Sequence, residues 1–397
     1  MTNSLAANRK SAAMGSGVGP LLDTFPNVER IAVLRGGGLG DLMFAYPALS
    51  ALSAAYPEAS ITLLGVPLHA ELLRNRPGPV AEVEVLPYAS GVRPGPEDGT
   101  ATADFFATMR SRSFDLAVQI HGGGRNSNPF LLKLGARHTV GTRTPDAVEL
   151  ERSAPYIYYQ NEFLRSLEVV GLAGAAPVCL EPQLVVTEEE WAAGQRITGA
   201  GTRPLLVIHP GATDPRRRWP ASSFATVAAW AARDGSDVVI VGDDGDAPLA
   251  AEIVRLAAGH QAAGHQAAGQ HRGGAACIRS LAGRLSLSEL TGVLSAATVV
   301  VGNDSGPRHL AQAVGTPTVG IFWVGNVINA GAMGRVLHRV HAAWTTQCAV
   351  CGVDVTQVGW TAERCEHDDS FVQQTQPDAV YDDVRDLTAT TPLLRGR

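Results

Sequence analysis

The chain has 397 residues, 45% of them hydrophobic and 18% charged, a globular composition long enough for two cores rather than one. Its net charge of −6 excludes bulk attraction to nucleic acid, so an anionic ligand must be met by local basic groups. No run of apolar residues approaches the ~20 that a membrane span needs, and residues 1–28, rich in Ala, Ser, Asn and Gly, hold no apolar stretch of signal-peptide length. A cytoplasmic protein with a disordered leader over 1–28 is expected, with attachment to a membrane surface left open.

Residues 31–34 (IAVL) read as a strand that ends in the glycine-rich turn Arg35-Gly36-Gly37-Gly38-Leu39-Gly40-Asp41. A helix follows with Leu42, Ala45, Leu49 and Leu52 on one face, bent or begun at Pro47. Strands are expected at 61–64 and 83–86, a polar Gly/Pro-rich loop at 89–103, and a strand at 114–120 that ends in His121-Gly122-Gly123-Gly124-Arg125. A helix at 128–134, a strand near 139–141 and a helix at 156–170 close this half, and 173–188 reads as a connector. A second series then begins: strand 205–208 ending in His209-Pro210-Gly211, helix 222–233, strand 238–241 ending in Gly242-Asp243-Asp244, helix 247–256, residues 278–282 leading to Gly283, and helix 288–297. Alternation of strands and helices in both halves predicts parallel sheets covered by helices, with ligands at the C-terminal ends of the strands. The expected domains are 29–185 and 186–397, with a low-complexity insert at 257–274 that contains the repeat AAGHQ-AAGHQ-AAGQH.

Residues 298–322, TVVVGNDSGPRHLAQAVGTPTVGIF, organise the second half. Val299-Val300-Val301 is a buried-type strand expected to break at Gly302. Asp304 or Ser305 can cap the helix that follows, and Pro307 suits its first turn because the N–H it lacks would be unpaired there anyway. A helix N-terminus of this kind points N–H groups and a positive dipole end at the loop, which suits a phosphate.

The first glycine turn does not spell a dinucleotide fingerprint. G-x-G-x-x-G would need glycine where Asp41 or Met43 stands, and no acidic residue follows the second strand. Asp41 at that helix start is either a cap or a general base, and burial would make it the stronger base. His121, Arg125 and Asn126 in the HGGGRNSN loop are candidates for a polar ligand; no nucleophile elbow accompanies them. The run Arg216-Arg217-Arg218 after Thr213 is a candidate clamp for a diphosphate. Asp244-Gly245-Asp246 spells D-x-D, too short to carry a metal reading, although Asp244 could reach a ribose hydroxyl. The five cysteines are expected to be reduced. Cys348-x-x-Cys351 with Cys365 and His367 offers enough ligands for zinc, but the irregular spacing favours a redox pair or plain thiols, and no metal or cofactor is expected at the site.

With these residues in place, the chain resembles glycosyltransferase family nine, the ADP-heptose:lipopolysaccharide heptosyltransferases and their relatives. Four motifs carry the likeness: RGGGLGDLMFAYPAL at 35–49, HPGATDPRRRWP at 209–220, LAGRLSLSEL at 281–290 and VGNDSGPRHLAQAVGTPTVGIF at 301–322. The resemblance implies a GT-B fold of two Rossmann-like α/β domains whose parallel sheets face an interdomain cleft, the first domain for the acceptor and the second for a nucleotide sugar. It implies inverting transfer without an essential metal. The family's base falls on Asp41 and its basic leaving-group residue on Arg217. The D-[ST]-G-x-x-H motif falls on Asp304, Ser305, Gly306 and His309, and an acidic residue after a strand falls near Asp244. Thr213, Arg216 and Gly283 complete the expected donor set; His121, Arg125 and Asn126 are the expected acceptor set. The expected function is transfer of a sugar, heptose from ADP-heptose, to a hydroxyl acceptor such as a lipopolysaccharide core or a small molecule. The alternative is a nucleotide-sugar epimerase or hydrolase on the same fold, and a binding protein without activity is a third reading.

Overall fold

Two parallel sheets of the same design account for most of the chain. The computed structural model describes residues 17–199, 201, 203–265, 277–356 and 364–395, and the chain divides into a first unit, Met1–Val185, and a second, Val186–Arg397.

The first unit contains strands β1 (Arg30–Leu34), β2 (Ser60–Gly65), β3 (Glu82–Val85), β4 (Leu116–Gln119), β5 (His138–Arg143) and β6 (Arg152–Pro155), with helices α1 (Leu39–Ala55), α2 (Pro67–Leu73), α3 (Gly99–Ser111), α4 (Ser127–Leu132) and α5 (Glu162–Gly171). Its sheet runs β3-β2-β1-β4-β5-β6, every pair parallel. The second unit contains β7 (Leu205–His209), β8 (Asp237–Ile240), β9 (Ile278–Ser280), β10 (Val299–Asn303), β11 (Thr318–Trp323) and β12 (His338–Ala343). Helices α6 (Glu188–Thr198), α7 (Ala221–Arg233), α8 (Ala247–His265), α9 (Leu287–Ala296), α10 (Gly306–Ala313), α11 (Val324–Ala330) and α12 (Pro377–Arg395) cover them. This sheet runs β12-β11-β10-β7-β8-β9, also parallel throughout. Counted from the first strand of each unit, both follow the order 3-2-1-4-5-6 of a doubly wound nucleotide-binding fold. Helices on both faces explain why the central strands are apolar without alternation: β1, β7 and β10 are buried over nearly their whole length.

Several elements differ from the sequence reading for identifiable reasons. The expected leader does not extend to residue 28. Phe25 is buried and stacks on His138 at 4.1 Å, its N–H donates to the Tyr56 hydroxyl, and the Leu22 N–H donates to the Gly171 carbonyl; residues 1–16 lie outside the described residues. Helix α3 starts inside the expected 89–103 loop because Asp98 accepts hydrogen bonds from the Thr100 and Ala101 N–H groups and nucleates it. Helix α5 starts at Glu162, capped by Asn161, six residues later than read. Helix α6, which begins where the expected connector ends and was not expected, has a complete capping box between Thr187 and Glu190. Pro47 lies within α1, which starts at Leu39. Strand β10 passes through Gly302 to Asn303 because Gly302 and Asn303 still pair with Gly320 and Ile321 of β11. The repeat continues α8 to His265, and its remainder falls outside the described residues. Among the described residues no helix is long and apolar enough to cross a membrane.

Close packing in the second unit depends on two glycines. A Cβ on Gly194 of α6 would stand 2.2 Å from the Gly292 carbonyl oxygen, and one on Gly292 of α9 would stand 2.0 Å from that of Glu190. Gly292→Ala should therefore lower stability by ~1–3 kcal/mol through overpacking. Gly259→Ala, on an exposed part of α8 with open space around it, should raise stability by ~0.5–1 kcal/mol. Urea midpoints of the two variants should move in opposite directions.

Candidate active site

Each unit concentrates its polar groups where its strand order reverses, between β1 and β4 in the first and between β7 and β10 in the second. At such a point the two neighbouring chain exits diverge and leave a crevice at the strand ends.

In the first unit, the turn after β1 needs glycine at Gly37, whose φ of +91° is left-handed and where a Cβ would stand 2.4 Å from Asp41 Oδ2. Asp41 Oδ2 accepts the Gly38 N–H at 2.8 Å and so completes the start of α1. Its Oδ1 accepts from Arg35 Nη2 at 2.6 Å. Arg35 is buried, with Nη1 donating to the Ile120 carbonyl at 2.6 Å and Nη2 lying 3.4 Å from Glu162 Oε2. Burial opposes the Arg35 charge, but the carboxylates of Asp41 and Glu162 outweigh it, and its pKa lies above the ordinary value. The buried base expected at Asp41 is not found: the side chain is 44% exposed. Its cap and its arginine partner hold the carboxylate in place while leaving it open to a reactant.

His121 leaves β4 and turns back into the same turn. Its Nδ1 accepts the Gly36 N–H at 3.1 Å, and its Nε2 lies 3.2 Å from the Gly91 carbonyl, partners that fit a neutral ring protonated at Nε2. Burial, then the nearby Arg35 charge, push its pKa down to about 4. It is thus a brace for the glycine turn rather than an acceptor ligand. Arg125 and Asn126 do come together, with Tyr88, Phe130 and Lys133, around a pocket of ≈ 270 Å³. Arg35, Glu162 and His69, whose Nε2 lies 3.2 Å from the Gly38 carbonyl, were not read from the sequence. Glu162 and His69 act on partners distant along the chain, and Arg35 acts on Asp41 six residues away.

In the second unit, His209 at the end of β7 places Nδ1 2.9 Å from Ser305 Oγ and Nε2 3.5 Å from Asp246 Oδ2. Asp246 is buried, and its hydrogen bond with His209 holds its pKa below the usual carboxylate range. The second carboxylate of the D-x-D is therefore structural. Asp244 is exposed and adjoins Gly283, since a Cβ on that glycine would stand 2.5 Å from Asp244 Oδ1. Thr213 is exposed in the loop after β7.

Asp304 is the hub of this region. Its side chain is 8% exposed. Oδ1 accepts from His309 Nε2 at 2.9 Å, and Oδ2 from Asn326 Nδ2 at 2.5 Å and Arg217 Nη1 at 3.3 Å. Desolvation works against the carboxylate, but the hydrogen bond and charge of His309, the Arg217 charge and the Asn326 bond overcome it, and its pKa lies far below the usual range. Arg217 is 27% exposed. Ser305 is the N-cap of α10, but its side chain makes no capping bond, and Gly306 is the first helical residue. Asn303 fixes the frame: its Oδ1 accepts the Trp219 N–H at 3.0 Å and its Nδ2 donates to the Pro210 carbonyl at 2.7 Å. Arg216 does not join the clamp. It is buried, paired with Asp214 at 2.6 Å, and lies over the Phe371 ring. The fold also draws Cys348, Cys351, Cys365 and His367 into one cluster despite their irregular spacing.

A sequence model of glycosyltransferase family 9 (heptosyltransferase) matches residues 105–357. Lipopolysaccharide heptosyltransferase 2 of Salmonella typhimurium is 25% identical over 306 residues, covering 74% of this chain and 82% of that protein. The crystal structure of a family 9 glycosyl transferase from Veillonella parvula superimposes with a TM-score of 0.69 at 17% identity, over 91% of this chain and 97% of that one. E. coli ADP-heptose lps heptosyltransferase II gives 0.66 at 20% identity, over 91% and 99%. The likeness in fold agrees with the GT-B class of two Rossmann-like units expected above.

The His121 environment has a consequence for acid stability. A histidine whose pKa falls from 6.5 to about 4 on folding contributes stability that is complete above pH ~6.5 and is lost as the pH drops toward 4, because the unfolded chain takes up the proton first. His338, pushed down to about 3 by burial and by the Arg308 charge, adds to the same slope. His121→Gln, which can still accept from Gly36, should therefore lose less stability than the native protein between about pH 7.5 and about pH 4.5, as read from urea midpoints. Equal losses would contradict a buried neutral ring.

Proposed function

Because the chain belongs to glycosyltransferase family 9, we propose that it transfers heptose from ADP-heptose to an acceptor hydroxyl with inversion at the anomeric carbon. The observation that carries this reading is the Arg217–Asp304 pair beside the start of α10, where Ser305 leaves the first turn without a side-chain cap. A partly exposed guanidinium and a helix N-terminus together suit a departing diphosphate. Asp304 does not serve as a phosphate ligand, since an anion there would repel one; it orients Arg217. Ser305 and Gly306 would meet the phosphates through backbone N–H groups, and the exposed Asp244 and Thr213 would meet the nucleoside.

In the proposed reaction Asp41 takes the proton of the acceptor hydroxyl. The oxygen forms a bond to the anomeric carbon as the bond from that carbon to the β-phosphate oxygen breaks, and ADP leaves with the electron pair. The growing negative charge is met by Arg217 and the α10 dipole, so the step needs no metal at the reacting centre. Arg35 is a positioning residue: it keeps the Asp41 carboxylate aimed while the cap on Gly38 holds the other oxygen. The ≈ 270 Å³ pocket with Arg125, Asn126 and Lys133 suits an acceptor with anionic or hydroxyl groups. Lipopolysaccharide-core sugars and small-molecule acceptors both meet that description.

Asp41→Asn keeps an oxygen for the cap and should preserve the fold and the thermal shift given by ADP-heptose, yet lower transfer by ~10²-fold or more. Arg217→Gln should lower kcat on the order of 10²-fold, with Arg217→Lys recovering part of it. Near-normal transfer by Asp41→Asn would remove the base. Turnover of the donor without any acceptor would favour hydrolysis or epimerisation, and stabilisation only by UDP- or GDP-sugars would exclude ADP-heptose.

A further inference from the structure

Outside the site described above, one cluster gathers reactive side chains from separate parts of a loop. Cys348, Cys351, Cys365 and His367 each offer a ligand atom, and these atoms all lie within 4.8 Å of one another. A tetrahedral ion with bonds of ~2.1–2.3 Å would need ligand atoms roughly 3.5–3.8 Å apart, so closure asks for less than side-chain rotation supplies.

Three further observations point to a metal rather than to plain thiols. None of the cysteines is in a disulfide. His367 Nδ1 is buried and has no hydrogen-bond partner, a costly state for a ring nitrogen unless something binds it. Cys348 and Cys351 are held in one tight turn, closed by the Gly352 N–H on the Cys348 carbonyl with Gly352 at φ +71°.

The segments that flank the cluster are fastened to each other, and the one after His367 is fastened to the arginine turn. Three residues before Cys348, Thr345 Oγ1 donates to the Phe371 carbonyl at 2.7 Å, and its own carbonyl accepts from Trp323 Nε1 at 2.6 Å. Just after His367, Ser370 Oγ donates to the Arg218 carbonyl at 2.6 Å and the Phe371 N–H to the Arg216 carbonyl at 2.6 Å. Cys348, Val355, Phe371 and Trp219 share the hydrophobic core of this unit.

We propose that Cys348, Cys351, Cys365 and His367 bind one thiolate-preferring divalent metal ion, zinc or iron, and that the ion ties residues 345–356 and 364–371 together beside the turn that carries Arg217. Three thiolates and one imidazole form a complete tetrahedral set with no position left for a substrate, so the site is structural, and loading it releases the three thiol protons. The proposal does not rest on the transfer reading, because metal content is read without activity.

Full-length protein purified without chelator should contain about one equivalent of zinc or iron per chain by elemental analysis. Charge-transfer absorption identifies iron, and its absence identifies zinc. Cys351→Ser and His367→Ala should lose the metal, whereas Cys277→Ser, outside the cluster, should keep it. Chelation under reducing conditions should lower Tm and speed hydrogen exchange at the Phe371 amide. The site is overturned if the native chain holds less than about a tenth of an equivalent as purified and after anaerobic reconstitution with Zn²⁺ or Fe²⁺, or if both variants retain metal at the native level. The tie is overturned if Phe371 exchange is unchanged between metal-free and loaded protein.

Discussion

Both units depend on the reversal of strand order at their first strand. Because β1 and β7 each have neighbours whose connections leave in opposite directions, the backbone at their C-terminal ends is not covered by a helix and its polar groups need other partners. An imidazole bridges the switch point in each case. His121 accepts the Gly36 N–H across the first, and His209 joins the Ser305 side chain across the second. Asp41, Arg217 and Asp304 are carried on the segments that these rings adjoin. Purely parallel pairing has the further effect of burying the strands on both faces, which leaves the strand ends as the only places where chemistry can be displayed.

The two sites use one electrostatic device with the signs exchanged. In the first unit a buried cation, Arg35, holds an exposed carboxylate, Asp41. In the second a buried carboxylate, Asp304, holds a partly exposed cation, Arg217. Burying an ion is tolerable only when it is hydrogen-bonded on several sides, and both are: Arg35 by Asp41, Glu162 and the Ile120 carbonyl, Asp304 by His309, Asn326 and Arg217. The buried member is a rigid mount and the exposed member is what a reactant meets. Arranged this way, the first unit presents an exposed carboxylate and the second a partly exposed cation, which are the two groups that the proposed transfer would use.

The sequence disclosed what local pattern encodes. Apolar runs located the central strands, glycine turns located the strand ends, and the Asp-Ser-Gly loop before Pro307 located the start of α10. Helices whose caps lay inside polar stretches were lost, as Asp98 and Thr187 show, because a capping residue looks like any loop residue until the helix behind it is recognised. The partners of the site residues were illegible for a different reason. Asn326, Asn303 and Glu162 owe their roles to chain segments brought together only by the fold. Irregular spacing at the cysteines did not disclose that their ligand atoms come together, because that needs only that the chain return to the same point, not that it do so at a regular interval.

The arginine run shows most clearly why residue type and proximity in sequence do not establish a clamp. Residues Pro215–Arg217 form a turn of 3₁₀ helix, in which successive side chains point about 120° apart. Arg216 and Arg217 lie on this turn and Arg218 follows it in extended backbone, so the three face different directions. Arg216 turns into the core against Asp214 and the Phe371 ring, Arg217 reaches Asp304, and Arg218 Nε donates to the Ala212 carbonyl. The inward arginine fastens the turn, the outer one closes the loop after β7, and only the middle one is left facing the switch point. A basic run that reads as a single patch of charge is thus one presented cation and two fasteners, and the position of that cation is set by the residues that hold its neighbours.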